Sequence, residues 1–177
     1  MRFGGIVLVV LLTLGACSSD PEPKEPKRSA TSVAPTSTPP TMPAQAKEDT
    51  PEGAAAFVKH YIDVFNYASN TGDVGELSRL SSPECKGCQS YIKLYRDTYK
   101  AGGYFKGSDW KLGDLRLQQA GKTTYVTTVA STEPGPYKEA AGKPEHRSTG
   151  KDNKVSFAVS RGQAGWRLTQ IGLGDVR

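Results

Sequence analysis

Histidine and cysteine are scarce in this sequence of 177 residues. It contains two histidines, His60 and His146, and three cysteines, Cys17, Cys85 and Cys88. A structural zinc site takes about four ligands, and the chain has one Cys-x-x-Cys motif without a second to complement it. No glycine-rich phosphate loop stands out. We therefore expect neither a metal site nor a bound cofactor.

A hydrophobic run long enough to cross a membrane is also lacking. The most apolar segment, residues 3–16, has 14 residues, whereas a membrane-spanning helix needs about 20. Arg2 precedes the segment, and a polar Ser/Asp/Pro-rich stretch follows it. A positive start followed by a short apolar core is typical of a secretory signal peptide. We expect residues 1–16 to form such a peptide.

Runs of basic residues are missing too, although the chain carries a net charge of +5. Lysines and arginines are scattered, with no four in a row and no alternation with aromatic residues. Nucleic-acid-binding domains usually cluster their basic residues on one face or along one helix. Because export also argues against nucleic acid, we expect no nucleic-acid partner.

The end of the apolar segment carries a more specific signal. Leu14, Gly15 and Ala16 stand directly before Cys17, and this pattern resembles the lipobox of bacterial lipoproteins. The resemblance implies that the Cys17 thiol receives a lipid and that a signal peptidase cuts before it. It places the protein at the cell membrane, anchored by lipid on the extracytoplasmic face. The alternative is an ordinary secretory signal with an unmodified Cys17.

Beyond Cys17 the composition is that of a tether. Residues 18–50 contain seven prolines and ten serines or threonines but no aromatic residue. Such a segment buries too little apolar surface to offset the entropy of ordering. We predict a disordered tether over residues 17–49 and a single globular domain over residues 50–177.

The first half of this domain has helical spacing. Thr50 is a suitable N-cap before Pro51, and Phe57, Tyr61 and Phe65 lie on one face of a helix that runs to about residue 69. A short second helix is predicted over residues 73–80. A third is predicted after the two cysteines of the Cys-x-x-Cys motif and ends at a glycine pair.

From Trp110 onward the apolar period becomes two. Strands are predicted over residues 110–117, 123–132, 155–159 and 166–171, and a change of parity at Gly113-Asp114 indicates a bulge in the first. The polar stretch between about 133 and 153 is long for a connection, so it is either mobile or functional, and it could contain the outer part of a hairpin.

Threonines at 124, 128 and 132 favour a polar, wet sheet face, and the sequence does not decide between a monomer and a dimer. Helices before strands predict an α+β domain.

Two resemblances fit this order. Helices followed by a meander, with a final Gly-Trp-Arg-Leu strand, resemble the cystatin-like cone of the nuclear transport factor 2-like and SnoaL-like superfamily, which implies about three helices on a curved antiparallel sheet of about four strands. The stretches TPEGAAAFVKHYIDVFNYASNTGDVGEL and SSPECKGCQSYI are similar to an uncharacterised family of actinobacterial lipoproteins with a domain of unknown function. That family implies the compartment and the anchor, and it implies no activity.

The Cys85-x-x-Cys88 pair could form a structural disulfide, a redox site or part of a metal site. In an oxidising compartment an even pair of cysteines favours a disulfide. A thioredoxin-type redox site would place the motif at a helix start after a buried strand, and here a helix and a Ser-Ser-Pro break precede it. A metal site lacks further ligands. We predict a structural Cys85–Cys88 disulfide, with Glu84, Lys86 and Gly87 as a small exposed surface.

Eight aromatic side chains are candidates for a pocket at the open end of a cone, because tyrosines give an apolar wall with polar tips. The alternative is that they simply form the core. The set is Tyr61, Phe65, Tyr91, Tyr95, Tyr99, Tyr125, Phe157 and Trp166.

Catalytic groups are not evident. Asp63 lies off the apolar stripe of the first helix and is expected to face water, and His60 is expected on the helix surface, where it could pair with Asp63 or Asn66. No Ser/His/Asp constellation stands out. The sequence therefore favours a lipid-anchored extracytoplasmic module without catalytic activity that binds a small amphipathic ligand or an envelope protein. The alternatives are a SnoaL-like isomerase, cyclase or hydrolase using Asp63 or His60, and a thiol–disulfide protein.

Overall fold

A computed structural model describes residues 38–174. Three helices come first: α1 (Pro51–Thr71), α2 (Gly75–Leu80) and α3 (Lys86–Lys100). The Oγ1 of Thr50 accepts a hydrogen bond from the backbone N–H of Gly53 at 2.9 Å, so the predicted N-cap of α1 is confirmed. None of the helices in this part of the chain has the length and apolarity needed to span a bilayer.

Within residues 38–174, eight strands follow the helices. In chain order they are Tyr104–Phe105 (β1), Trp110–Leu112 (β2), Arg116–Ala120 (β3), Thr123–Thr132 (β4), Pro136–Lys138 (β5), His146–Arg147 (β6), Lys151–Gly162 (β7) and Gly165–Leu173 (β8). The main antiparallel sheet has the order β2-β4-β7-β8, and β3 also pairs with β4. Strands β1, β5 and β6 form a small separate sheet.

The predicted bulge at Gly113-Asp114 is confirmed. Leu112 pairs with Ala130 and Arg116 with Thr127, so three residues on one strand lie opposite two on β4. An extra residue bends the strand and increases its twist. β2 and β3 are therefore two halves of one edge strand.

The polar segment between 133 and 153 is ordered. β5 and β6 pair within it as a short antiparallel hairpin, and Tyr137 stacks on Phe105 with ring centroids 6.0 Å apart. Ala141 N–H donates to the carbonyl oxygen of Ala101 at 2.8 Å, which holds the hairpin on the end of α3. The outer hairpin that the sequence left open is thus present.

The core lies between α1 and the concave face of the sheet. Most of α1 is buried, and its Phe57, Tyr61 and Phe65 belong to one hydrophobic cluster with Phe157 and Leu168 of the sheet. The order of helices and the curved antiparallel sheet confirm the predicted α+β class.

The ordered domain begins before residue 50, so the prediction of a tether through residue 49 is wrong at its end. Residues 42–49, which we call the strap, include a short 3-10 helix, Gln45–Lys47, with Ala46 buried. The indole Nε1 of Trp166 donates to the carbonyl oxygen of Glu48 at 2.9 Å. This bond fastens the strap to β8, and the 3-10 helix packs on α1.

The prediction that the threonines of β4 form a polar, wet sheet face is wrong for Thr124 and Thr128. Thr124 and Thr128 are buried and share the inward face with Val126 and Ala130. Tyr125 lies on the opposite face. Because the strand has a period of two, the two polar threonines face the core, and they do not form the wet face expected for them.

Candidate functional site

The aromatic residues predicted to line a pocket largely fill the space themselves. The Phe65 ring, 1% exposed, touches the rings of Tyr91, Tyr95 and Trp110 at centroid distances of 4.9, 5.3 and 5.1 Å. Most of the other predicted members, namely Tyr61, Phe157 and Trp166, are also buried in the core. The cluster around Phe65 thus belongs to the core, which is packed by side chains of the chain itself.

The tyrosine hydroxyls are used for structural contacts. Tyr61 Oη and Ser81 Oγ are 2.8 Å apart, and Tyr99 Oη–H donates to the carbonyl oxygen of Ser69 at 2.8 Å. Burial raises the pKa of Tyr61 and Tyr95 well above the ordinary value of 10.0. These phenols therefore stay neutral and are poor bases at physiological pH.

Tyr125 lies apart from the other seven aromatic residues that were predicted to line a pocket. It pairs with Ala158, whereas its neighbour Val126 pairs with Phe157, which is part of the hydrophobic core. Adjacent residues of a strand point to opposite faces, so Tyr125 lies on the outer face of the sheet. Its assignment to the pocket is wrong because the register of β4 places it outside.

His60 is buried, contrary to the expected position on the helix surface. It is 2% exposed, and its Nε2 has no hydrogen-bond partner among the described residues. Burial lowers the pKa of His60 below its ordinary value of 6.5, although Asp63 and Glu76 oppose that shift. Glu76 and Arg79 of α2 also influence the pKa of His60.

Asp63 is exposed, as predicted. It borders a surface groove with Asn66 and Asp109, and the side chain of Asn66 is occupied by two 2.9 Å hydrogen bonds to the backbone of Trp110. Asp63 and His60 therefore do not meet a pocket tyrosine. In residues 38–174 no group of three or more His, Cys, Asp or Glu side chains is placed to hold a metal ion.

Cys85 and Cys88 form a disulfide, with their Cα atoms 5.2 Å apart. The third helix starts earlier than predicted, because Cys85 is the N-cap of α3 and Cys88 lies in its first turn. Both cysteines are 1% exposed and belong to the hydrophobic core. Exchange with another protein requires an accessible sulfur, so this burial favours a structural bond.

Replacing both Cys85 and Cys88 by alanine is expected to lower the free energy of unfolding by about 2 kcal/mol, because the bond closes a loop of only four residues. Urea unfolding measures this change, with Ser90→Ala on the exposed side of α3 as the control. In the unsubstituted chain, reduction by dithiothreitol should accelerate steeply with urea, since the sulfurs must first be exposed. Rapid reduction that does not depend on urea would instead identify an exchangeable pair.

A groove that the sequence did not predict lies between the strap, α2 and the β7–β8 turn. We call it the basic groove. Its volume is about 410 Å³, and it is lined by Met42, Ala46, Lys47, Phe57, Arg79, Leu80, Arg161, Ala164, Gly165 and Trp166. Apolar side chains form its floor and three basic side chains stand along it. The lining comes from several separate segments of the chain, which is why no local motif reveals it.

Arg161 is the most unusual residue of the basic groove. Its side chain is 29% exposed, and its Nε lies 3.7 Å from Asp49 Oδ1, too far for a hydrogen bond. Its Nη1 is buried and has no hydrogen-bond partner in the described part of the chain. The guanidinium lies over the ring of Trp166, 5.5 Å from its centroid, a distance that allows a cation–π interaction.

Several solved structures are similar to this chain. The intermembrane space region of the chloroplast protein ARC6 is 11% identical, with 73% of this chain and 99% of that chain covered and a TM-score of 0.56. The Kfla4162 protein from Kribbella flavida is 12% identical, with 69% and 90% covered and a TM-score of 0.51. At these identities the likeness concerns the fold alone.

A protein from Streptomyces avermitilis, assigned as a dehydratase of the NTF2-like family, is 20% identical, with 72% and 99% covered and a TM-score of 0.47. The predicted arrangement of about three helices on a curved antiparallel sheet is confirmed as the fold. No curated protein matches the chain. A family model matches residues 28–171, and the chain therefore belongs to DUF6318, a family of unknown function.

Proposed function

We propose that this protein is a lipid-anchored, extracytoplasmic module that binds a small amphipathic molecule in the basic groove and has no catalytic activity. The observation that carries the proposal is the groove itself, with an apolar floor and basic side chains along it. Its volume of about 410 Å³ lies within the range of about 300–1,000 Å³ usual for small-molecule sites.

The proposed anchor depends on the sequence before the described residues. Leu14-Gly15-Ala16-Cys17 resembles a lipobox, and the apolar residues 3–16 precede it. The buried Cys85–Cys88 disulfide supports the same compartment, because disulfides persist mainly outside the cytoplasm. Stable attachment requires more than one acyl chain.

Binding is favoured over catalysis by the placement of the candidate catalytic groups. A general acid or base must lie within hydrogen-bond reach of a bound substrate. His60 is buried beside α2, and Asp63 lies on the exposed side of α1. Neither residue lines the basic groove. The SnoaL-like alternative would need one of them in a pocket with a tyrosine.

The binding proposal is tested by obstructing the basic groove from its rim. Ala164 is exposed in the β7–β8 turn and lines the groove, whereas Gln163 is exposed in the same turn and does not line it. The uncharged probe N-phenyl-1-naphthylamine should bind the full-length chain carrying Cys17→Ser. Ala164→Trp should weaken this binding at least about tenfold, which corresponds to about 1.4 kcal/mol.

Gln163→Trp is the matched control, because it adds the same indole one position away. Binding of the probe by this variant should equal that of the Cys17→Ser chain. Equal binding by both tryptophan variants, or no binding at all, would contradict the proposed function.

The anchor is tested separately by Cys17→Ala. In an actinobacterial host the unsubstituted protein should sediment with membranes, and mass spectrometry of its N-terminal peptide should show a lipid on Cys17. The variant should lose that lipid and leave the membrane fraction or keep its first sixteen residues. An unmodified Cys17 in the native protein would refute the anchor without affecting the binding proposal.

A further inference from the structure

The charge within the basic groove is uneven. Its lining contains Lys47, Arg79 and Arg161 but no carboxylate. Arg79 is already neutralised, because its Nε and Nη2 donate to both carboxylate oxygens of Glu76, at 2.7 and 2.5 Å. Lys47 and Arg161 remain as the cations available to a ligand.

Arg161 lacks the acceptors that a guanidinium normally finds. The group carries five N–H donors, yet none makes a hydrogen bond among the described residues, and Nη1 is fully enclosed. The Asp49 carboxylate, which is 3.7 Å away, is itself 75% exposed. Nη1 is closed to the groove, so a ligand would meet the guanidinium through the exposed part of the side chain, which is 29% accessible. An anion in the groove would provide acceptors there.

The floor beside Arg161 is apolar and recessed. Phe57, Leu80 and Trp166 are buried beneath the groove. The large apolar side chains that protrude from the domain lie elsewhere: Leu94, Leu117, Val129 and Leu173 are exposed, and none of them lines the groove. A flat bilayer would meet these protruding side chains before it met the groove. The hydrocarbon chain of a single small molecule, in contrast, is narrow enough to enter the groove.

On the basis of the proposed function, we propose that the ligand is a dissolved single-chain amphiphile with an anionic head, a carboxylate or a phosphate. The head lies against Arg161 and Lys47, and the hydrocarbon chain lies along Trp166 and Leu80. A charge-assisted hydrogen bond from a guanidinium to such a head is shorter and stronger than a neutral one. Arg161 thus selects the ligand by its head group, while the apolar floor of the groove accepts the hydrocarbon chain.

The experiment compares decanoate with decanol, two ligands of equal chain length that differ in charge. Each displaces N-phenyl-1-naphthylamine from the full-length chain carrying Cys17→Ser, and from the same chain with Arg161→Gln or Arg167→Gln. Arg167 is an exposed arginine of β8 that does not line the basic groove. Binding of the probe itself by Arg161→Gln shows that the groove is still formed.

Decanoate should bind at least about tenfold more tightly than decanol. Arg161→Gln should remove most of that preference, leaving the part due to Lys47, and should leave decanol binding unchanged. Arg167→Gln should retain the full preference. If decanoate binds equally well to Arg161→Gln, the inference is overturned while the proposed function stands. If the probe does not bind to the Cys17→Ser chain, the proposed function fails. If the probe binds but decanoate does not displace it, the inference is overturned while the proposed function stands.

Sedimentation with vesicles of phosphatidylglycerol and phosphatidylcholine distinguishes the source of the anion. The Cys17→Ser chain should bind free decanoate equally well with and without vesicles. Sedimentation with the vesicles that depends on Arg161, without binding of free decanoate, would show that a lipid surface is the occupant and would overturn the proposal of a dissolved amphiphile.

Discussion

Phe65→Ala is expected to lower the free energy of unfolding by about 3–5 kcal/mol. The Phe65 ring is almost fully buried and contacts the rings of Tyr91, Tyr95 and Trp110. Removing it deletes buried apolar surface and leaves a cavity among rings from α3 and the sheet. Urea unfolding followed by far-UV circular dichroism measures the change.

The control is Leu94→Ala on the exposed side of α3. Leu94 is 45% exposed, and alanine and leucine both favour a helix. This change should therefore alter the free energy of unfolding by no more than about 0.5 kcal/mol. Similar losses for both variants would show that the rings do not act as the centre of the core.

Gly53→Ala is expected to have the second large effect on stability. It should lower the free energy of unfolding, whereas helix propensity alone predicts an increase. Alanine is normally better than glycine within a helix by about 1 kcal/mol. Here a Cβ at position 53 would overlap the backbone carbonyl group of Glu48 and would lie 3.1 Å from Gln45 O. We expect a net loss of about 1–3 kcal/mol, the usual cost of overpacking, because the strap must move away from α1.

Gly75→Ala in the first turn of α2 is the matched control. Its added Cβ would meet only the side-chain oxygen of Asp73, at 3.2 Å, so stability should stay the same or rise slightly. Thermal and urea unfolding of the two variants give the comparison. A Gly53→Ala chain as stable as Gly75→Ala would mean that the strap does not pack on α1 as closely as the structure has it.

The fold was accessible to sequence reasoning wherever a local pattern decides the structure. The Thr50-Pro51 start and the Phe57–Tyr61–Phe65 stripe predict α1 because capping and a 3.6-residue period are properties of the segment itself. The bulge at Gly113-Asp114 was visible because it reverses the parity of the alternation. Both signals depend on neighbours in the sequence.

The remaining features depend on partners distant in the sequence. The strap, with the sequence MPAQAKED, has no aromatic or β-branched residue to indicate a packed segment. It is ordered through Trp166, which lies 118 residues from Glu48. β4 has polar and apolar residues on both faces, so its alternation alone did not assign Thr124 and Thr128 to the core or Tyr125 to the outside. His60 is buried although it lies off the Phe57–Tyr61–Phe65 stripe, and α2 packs on α1 in a way that no periodicity of α1 predicts.

The two tryptophans of the chain occupy different ends of the domain. Trp110 packs on Phe65 in the aromatic cluster, and Trp166 holds the strap beside the basic groove. The tryptophan emission of the protein thus has two distinct sources, and Trp110→Phe would leave the indole at the strap as its only source. A red shift in that variant would report release of the strap before the core unfolds, without any added label.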